Sequence, residues 1–251
     1  MGTESSRHSS VLITGGSGVI GRALCVEFGR AGWNVGVHYR ARREEAERTA
    51  AAVVECGGMA SCLQADIRES QHVQTMVDTF RSQWGRLDVL ICNAGQAGSG
   101  LVLKISRERW ASTIQTNLTG TFHCFQAAGP VMIGQGGGSV LVVTSFAALQ
   151  GTTGQAAYAA AKAGLLGLVK SAAREWGVHN VRVNAVCPGW HRSDLAGSAM
   201  PTESELHEAM GVNQHVLGRL MDVESVAHSV YHLALLPAAS GQIWNLDSRI
   251  L

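Results

Sequence analysis

The sequence predicts one doubly wound parallel α/β sheet of about seven strands, with helices on both faces. Three observations carry this reading. Strand-like and helix-like segments alternate from one end to the other, which builds right-handed β–α–β crossovers. The run "LDVLICNAG" is apolar on both faces, as a strand covered by helices above and below must be. A glycine-rich turn, "TGGSGVIG", joins the first strand to the first helix.

The elements follow in order. "SVLITG" reads as a strand, and a helix runs from about Val19 to Ala31. "WNVGVHY" is the second strand, followed by the charged helix "RREEAERTAAAVVEC". "MASCLQAD" is the third strand. The helix "SQHVQTMVDTFRSQWG" puts Val73, Met76, Val77 and Phe80 on one face. After "LDVLICNAG" comes one long helix, "RERWASTIQTNLTGTFHCFQAAGPVMI", and the flexible "GQGGG" leads into strand "SVLVVTS". A second long helix, "GQAAYAAAKAGLLGLVKSAAREWG", precedes strand "VRVNAVCPG"; "VESVAHSVYHLAL" is a late helix and "QIWNLD" a final strand. No repeat, low-complexity linker or composition break interrupts this order. One domain over residues 10–251 is expected, after a polar, flexible terminus at 1–9.

Bulk properties exclude several function classes. A chain of 251 residues can bury one large core. A net charge of +1 supplies no electrostatic reason to bind nucleic acid or an anionic membrane. No apolar stretch reaches the ~18 residues of a membrane span. The start, "MGTESSRHSS", lacks the apolar centre of a secretion signal, so a cytoplasmic protein is expected. The six cysteines sit mostly in apolar runs, without a C-x-x-C pair or a histidine at metal spacing. They read as reduced, buried thiols, and no metal site is expected.

Ligands on such sheets bind at the carboxyl ends of the strands, and the candidate residues cluster there. Gly16-Ser17-Gly18-Val19-Ile20-Gly21 fits G-x-G-x-x-G between strand and helix. Absent Cβ atoms let pyrophosphate approach backbone N–H groups at a helix N-terminus, and the last glycine lets helix and strand pack closely. The second strand then separates the two dinucleotides. NAD enzymes usually end it with a carboxylate for the ribose hydroxyls. Here it ends Val37-His38-Tyr39-Arg40, with Arg42 and Arg43 close behind. A guanidinium can fork onto a 2′-phosphate, so NADP(H) is inferred, with Arg40 as the contact. In "YAAAK", Tyr158 and Lys162 stand four residues apart on one helix face. A phenol of ordinary pKa ~10 becomes a usable acid when an ammonium stabilises its anion.

With these residues the chain resembles the short-chain dehydrogenase/reductase family, and within it the branch of 3-oxoacyl-thioester reductases. The resemblance runs from Val11 to about Asp247, with the motifs in the family's order. They are the glycine turn, Asp66-Ile67, Asn93-Ala94-Gly95, Asn117 in "NLTG", Ser145, Tyr158-x-x-x-Lys162 and Pro188-Gly189. It implies a Rossmann-type domain and the following roles. Tyr158 would donate a proton to the substrate carbonyl, and Ser145 would hydrogen-bond the same oxygen. Lys162 would bind the nicotinamide ribose and lower the pKa of Tyr158; Asn117 would hold a water in a relay reaching Lys162. Gly15, Ser17, Gly18, Val19, Ile20 and Gly21 would cradle phosphate, with Tyr39 and Arg40 beside the adenosine. Asp66 and Ile67 would flank the adenine. Asn93, Ala94 and Gly95 would steady the central strand and leave room for the ribose. Pro188, Gly189 and Ser193 would meet the nicotinamide end, under a lid in which Trp190 and His191 shape the substrate site. Read without the other motifs, Ser145 would simply end a strand and Asn117 cap or bend a helix.

Several features depart from the branch. Its glycine turn usually reads T-G-x-x-x-G-x-G, often with an arginine; here T-G-x-x-G-x-x-G resembles the family's longer, sugar-modifying branch. That branch carries about a hundred further residues for its sugar nucleotide, so its function is not expected. Val19 also adds a Cβ where backbone approach is tight. The loop before Ser145, "MIGQGGGS", lacks the positive charge an acidic carrier protein would meet. The substrate therefore stays open between an acyl carrier protein thioester, a coenzyme A thioester and a free ketone. The family implies a homotetramer, or a homodimer, through the two long helices and the last strand, but the ending "DSRIL" differs from its glycine-rich tail. A non-catalytic NADP(H)-binding subunit is the alternative from another class.

Overall fold

The computed structural model describes residues 9–189, 215–219 and 221–249. Among them, seven strands form one parallel sheet in the order β3-β2-β1-β4-β5-β6-β7. The strands are β1 Ser10–Ile13, β2 Asn34–Tyr39, β3 Met59–Gln64, β4 Val89–Cys92, β5 Gly138–Val143, β6 Val181–Cys187 and β7 Ile243–Asn245. The helices are α1 Val19–Arg30, α2 Arg43–Glu55, α3 Ser70–Trp84, α4 Arg107–Ile114, α5 Gly120–Gly134, α6 Ala147–Gln150, α7 Ala156–Trp176 and α8 Val223–Leu235. The predicted α/β sheet is the one observed.

Strand periodicity divides the core into two layers. Leu12, Leu90, Val140, Val142 and Val183 pack with Val77 and Phe80 of α3, Met132 of α5 and Leu165 of α7. Val11, Ile13, Val89, Ile91 and Leu141 pack on the opposite face with Leu24 and Phe28 of α1, Val53 of α2 and Val230 of α8. Every residue of β1 and β4 is buried, as the continuous apolar runs required. Phe28 also meets Trp33 and Tyr231 edge-on, with centroids 5.1 and 5.0 Å away, which locks α8 onto α1.

Strand order reverses between β1 and β4. The chain leaves β1 toward β2 on one side and leaves β4 toward β5 on the other, so a crevice opens past their carboxyl ends. Asn93 holds this point together. Its backbone N–H donates to Thr14 Oγ1 at 2.9 Å, and its Nδ2 donates to the Thr14 carbonyl at 3.0 Å.

One expectation is corrected in detail. The single long helix predicted over residues 107–133 is two α-helices separated by a π-helical turn, Gln115–Thr119. Asn117 sits within that turn, wholly buried. Its Nδ2 donates to the carbonyl of Thr113 at 2.9 Å, and the Gly120 N–H reaches back five residues to Gln115. A side-chain amide competing for helix carbonyls produces this widening. The short α6 was not predicted, and β7 is half the length of "QIWNLD". Residues 1–8 and 190–214, which include Trp190, His191 and Ser193, lie outside the described residues.

Candidate active site

Two cavities of about 440 Å³ each open along the carboxyl edge of the sheet. Ile20, Asn93, Gly95 and Gln96 line both, so together they form one cleft. The first half holds the glycine turn. Gly15 takes φ +71°, and a Cβ there would stand 2.9 Å from Ala94 Cα. Gly21 is more constrained: its Cβ would fall 2.1 Å from the Gly15 carbonyl oxygen. Helix α1 thus starts close against the turn, with backbone bare where an anion would approach. Val19 is half exposed and lines this half of the cleft beside the glycines.

A residue to which the sequence reading gave no role holds this turn. His38 is buried in β2; its Nδ1 accepts the Gly15 N–H at 2.9 Å, and its Nε2 lies 3.1 Å from the Ala65 carbonyl. These partners require a neutral ring protonated at Nε2. Burial pushes its pKa down to about 4. The available signal was a titratable side chain inside a strand covered on both faces, which must find partners.

Strand alternation also places the basic residues. His38 and Arg40 line the cleft, whereas Tyr39, expected beside the cofactor, lies in the core layer with Val37 and Phe28. Arg42 lines the cleft too, but Arg43 turns outward and donates to Glu47 at 2.7 Å. Asp66 lines the same half, with Ile67. The Asp66 carboxylate accepts from Arg68, Nε at 3.0 Å and backbone N–H at 3.0 Å. Arg68 above all holds the carboxyl down at about 2, with Arg40 a smaller influence.

In the second half, Ser145, Tyr158, Lys162, Pro188 and Gly189 line one cavity. Ser145 stands in the turn after β5, where its Oγ accepts the Ala147 N–H at 3.2 Å. Lys162 is buried on α7; its Nζ donates to the Val143 carbonyl at 2.8 Å and lies 5.7 Å from the Tyr158 ring centroid. Burial lowers its pKa to about 8. Asn117 faces the loop after β4, donating to the Gln96 carbonyl at 2.9 Å and accepting the Gln96 N–H at 3.2 Å. Gly95 permits this approach, since a Cβ there would stand 2.6 Å from Asn117 Oδ1. Gln96, Phe146, Thr152, Gln155 and Arg249 also line the wall and were not anticipated.

The order of these groups along one chain matches a known pattern. The family model described as short chain dehydrogenase matches residues 9–204. The chain belongs to the short-chain dehydrogenases. It is therefore an oxidoreductase, and a nicotinamide dinucleotide is its cofactor class. Among curated short-chain dehydrogenase relatives, the 3-oxoacyl-[acyl-carrier-protein] reductase FabG of Staphylococcus aureus is 37% identical over 225 residues, 90% of each chain. The 3-oxoacyl-[acyl-carrier-protein] reductase of Synechocystis is 35% identical over 244 residues, 96% of each. Two solved short-chain dehydrogenase-like structures are similar at 28% identity. A putative short-chain alcohol dehydrogenase from Sinorhizobium meliloti has TM-score 0.89, over 96% of this chain and 95% of that one. A variant actinorhodin polyketide ketoreductase with NADPH has TM-score 0.86, over 96% of each. Among the described residues, no helix is long and apolar enough to cross a membrane.

Proposed function

We propose that this short-chain dehydrogenase is an NADPH-dependent carbonyl reductase whose substrate is a 3-oxoacyl thioester, on acyl carrier protein or coenzyme A, reduced to the 3-hydroxyacyl form. The observation that carries the proposal is the joining of two half-sites in one cleft: a bare glycine turn flanked by Arg40 and Arg42, and a wall of Ser145, Tyr158 and Lys162. The curated relatives named as 3-oxoacyl-[acyl-carrier-protein] reductases support the substrate class.

The residues fit the dinucleotide. The glycine turn, with Gly21 packed on the Gly15 carbonyl and Gly18 lining the cleft near Arg42, suits a pyrophosphate, and Arg40 and Arg42 suit a 2′-phosphate. Asp66 and Ile67 would border the adenine, Asn93, Ala94 and Gly95 the adjoining ribose, and Pro188 and Gly189 the nicotinamide. Ser193 is proposed for the same end. When bound, the reduced nicotinamide supplies hydride. The chain supplies the rest. Tyr158 gives its phenolic proton to the carbonyl oxygen, and Ser145 Oγ donates to that oxygen as charge grows on it. The Lys162 ammonium stabilises negative charge on the Tyr158 oxygen, more strongly because Lys162 is buried. Asn117 fixes the Gln96 loop and is the proposed holder of a relay water.

A steady-state screen of carbonyl compounds, with NADPH and NADH side by side, tests the reading. Turnover of 3-oxoacyl thioesters with NADPH supports it; cofactor binding without turnover across the panel overturns it. The same reading places the protein in the cytoplasm as a homotetramer, or a homodimer, through α5 and α7. Light scattering of the eluted protein measures that state.

A further inference from the structure

The substrate half of the cleft carries a cation that the reductase chemistry does not use. Arg249 lies in the segment after β7, with its side chain 8% exposed, and lines the cavity that holds Ser145, Tyr158 and Lys162. A buried guanidinium needs partners. Asp247 accepts from its Nε at 2.9 Å and also from its Nη2. That carboxylate is itself fixed: Oδ1 accepts the Arg249 backbone N–H at 3.0 Å and stands 3.2 Å from His215 Nδ1. Burial keeps His215 below the ordinary histidine pKa, so its ring adds no second positive charge near neutral pH. Gly189 leaves the space these groups occupy, since a Cβ there would come within 2.9 Å of Asp247 Oδ2. On the flat side, the Phe146 ring lies 3.7 Å from Arg249 Cζ.

The guanidinium is thus held at one edge and one face. Its Nη1 makes no hydrogen bond among the described residues, which leaves the Nη1/Nη2 edge, the one that matches a carboxylate bidentately. We infer that Arg249 is a specificity-determining residue of the substrate cavity, taking on that edge a carboxylate carried by the carbonyl substrate. The inference rests on the reductase reading and narrows it: keto acids, or thioesters whose acyl chain bears a carboxylate, are preferred over neutral ketones. Asp247 cancels the net charge, so selection comes from two directed, charge-assisted hydrogen bonds in a desolvated setting rather than from long-range attraction.

Two keto acids of different reach, 3-oxobutanoate and 5-oxohexanoate, are compared with their methyl esters as substrates of the NADPH-loaded protein. Wild type favours at least one acid over its ester by about 30-fold in kcat/KM, the scale of a bidentate charged contact. Removing Arg249 alone would leave Asp247 buried and unpaired, so the test variant is Asp247→Asn with Arg249→Met. Arg249→Lys serves as a second variant that keeps the charge and loses the fork. The acid-to-ester ratio falls toward one in the double variant and by a smaller factor with lysine. Equal rates for acid and ester in wild type, or an unchanged ratio in both variants, overturn the inference. If no ketone turns over, the reductase reading fails, and calorimetric titration of acids and esters into the same proteins decides separately. Tighter binding of an acid that disappears in the double variant supports the anchor; equal binding overturns it.

Discussion

At the residue scale, Tyr158 and Arg40 carry the separable parts of the proposed reaction. Tyr158→Phe deletes the donated proton while keeping the ring. We expect kcat to fall by about 10²–10⁴-fold with NADPH affinity retained, measured by fluorescence titration beside steady-state rates. A kcat within tenfold of wild type would remove Tyr158 as the acid. Arg40 lines the adenosine half of the cleft without an assigned carboxylate partner, whereas Asp66 is already committed to Arg68. Arg40→Ala should raise the NADPH KM by about tenfold and leave the NADH KM nearly unchanged, because a charged hydrogen bond is lost only from the phosphate. Equal effects on both cofactors would refute the phosphate assignment. The motif residues were legible in the sequence because their types state their chemistry. Which neighbours face inward was not legible: strand alternation buried Tyr39 and exposed Arg40, and only the register of β2 on β1 and β3 decides that.

At the element scale, the glycine turn and the π-turn set the shape of the cleft. The glycines are not equivalent. A Cβ at Gly18 would approach the Gly15 oxygen only to 3.3 Å, whereas one at Gly21 would come to 2.1 Å, against backbone that cannot rotate away. Gly21→Ala should therefore cost about 1–3 kcal/mol of stability in the cofactor-free protein, and Gly18→Ala clearly less. Thermal melts with and without NADPH check the pair, and similar losses in both would contradict this account. The shifted glycine spacing keeps Gly21 where it packs the helix against the turn, and leaves Val19 as a half-exposed part of the cleft wall. The break at Asn117 was hidden in the sequence. Apolar periodicity continues through residues 107–133, and the interruption comes from a side-chain bond to the Thr113 carbonyl that periodicity does not report.

For the whole molecule, His38 ties stability to pH. Its pKa is about 4 when folded against an ordinary 6.5, so the unfolded chain binds more protons between those values. The stability this group allows is complete above pH 6.5 and declines as pH falls toward 4. At pH 5 the loss from this residue alone is about 2 kcal/mol. Denaturant melts at pH 7 and pH 5 should show it, and His38→Gln should shrink the difference between the two. An equal difference in the variant would assign the acid sensitivity elsewhere. Lys162 titrates on the other side, near pH 8, and does not contribute in that window.

The sequence by itself determined the alternating α/β order, the parallel sheet and the chemical types at the cleft. Local periodicity and motif spacing encode these directly, and each is a property of residues near one another in the chain. Tertiary structure alone decided what meets across the sheet. It brought His38 under the glycine turn, closed Gly95 against Asn117, and set Arg249 beside Phe146 in the substrate wall. Such contacts join positions from 22 to 103 residues apart, and the packing of buried polar groups, each needing a partner, chooses among them only when the chain has folded.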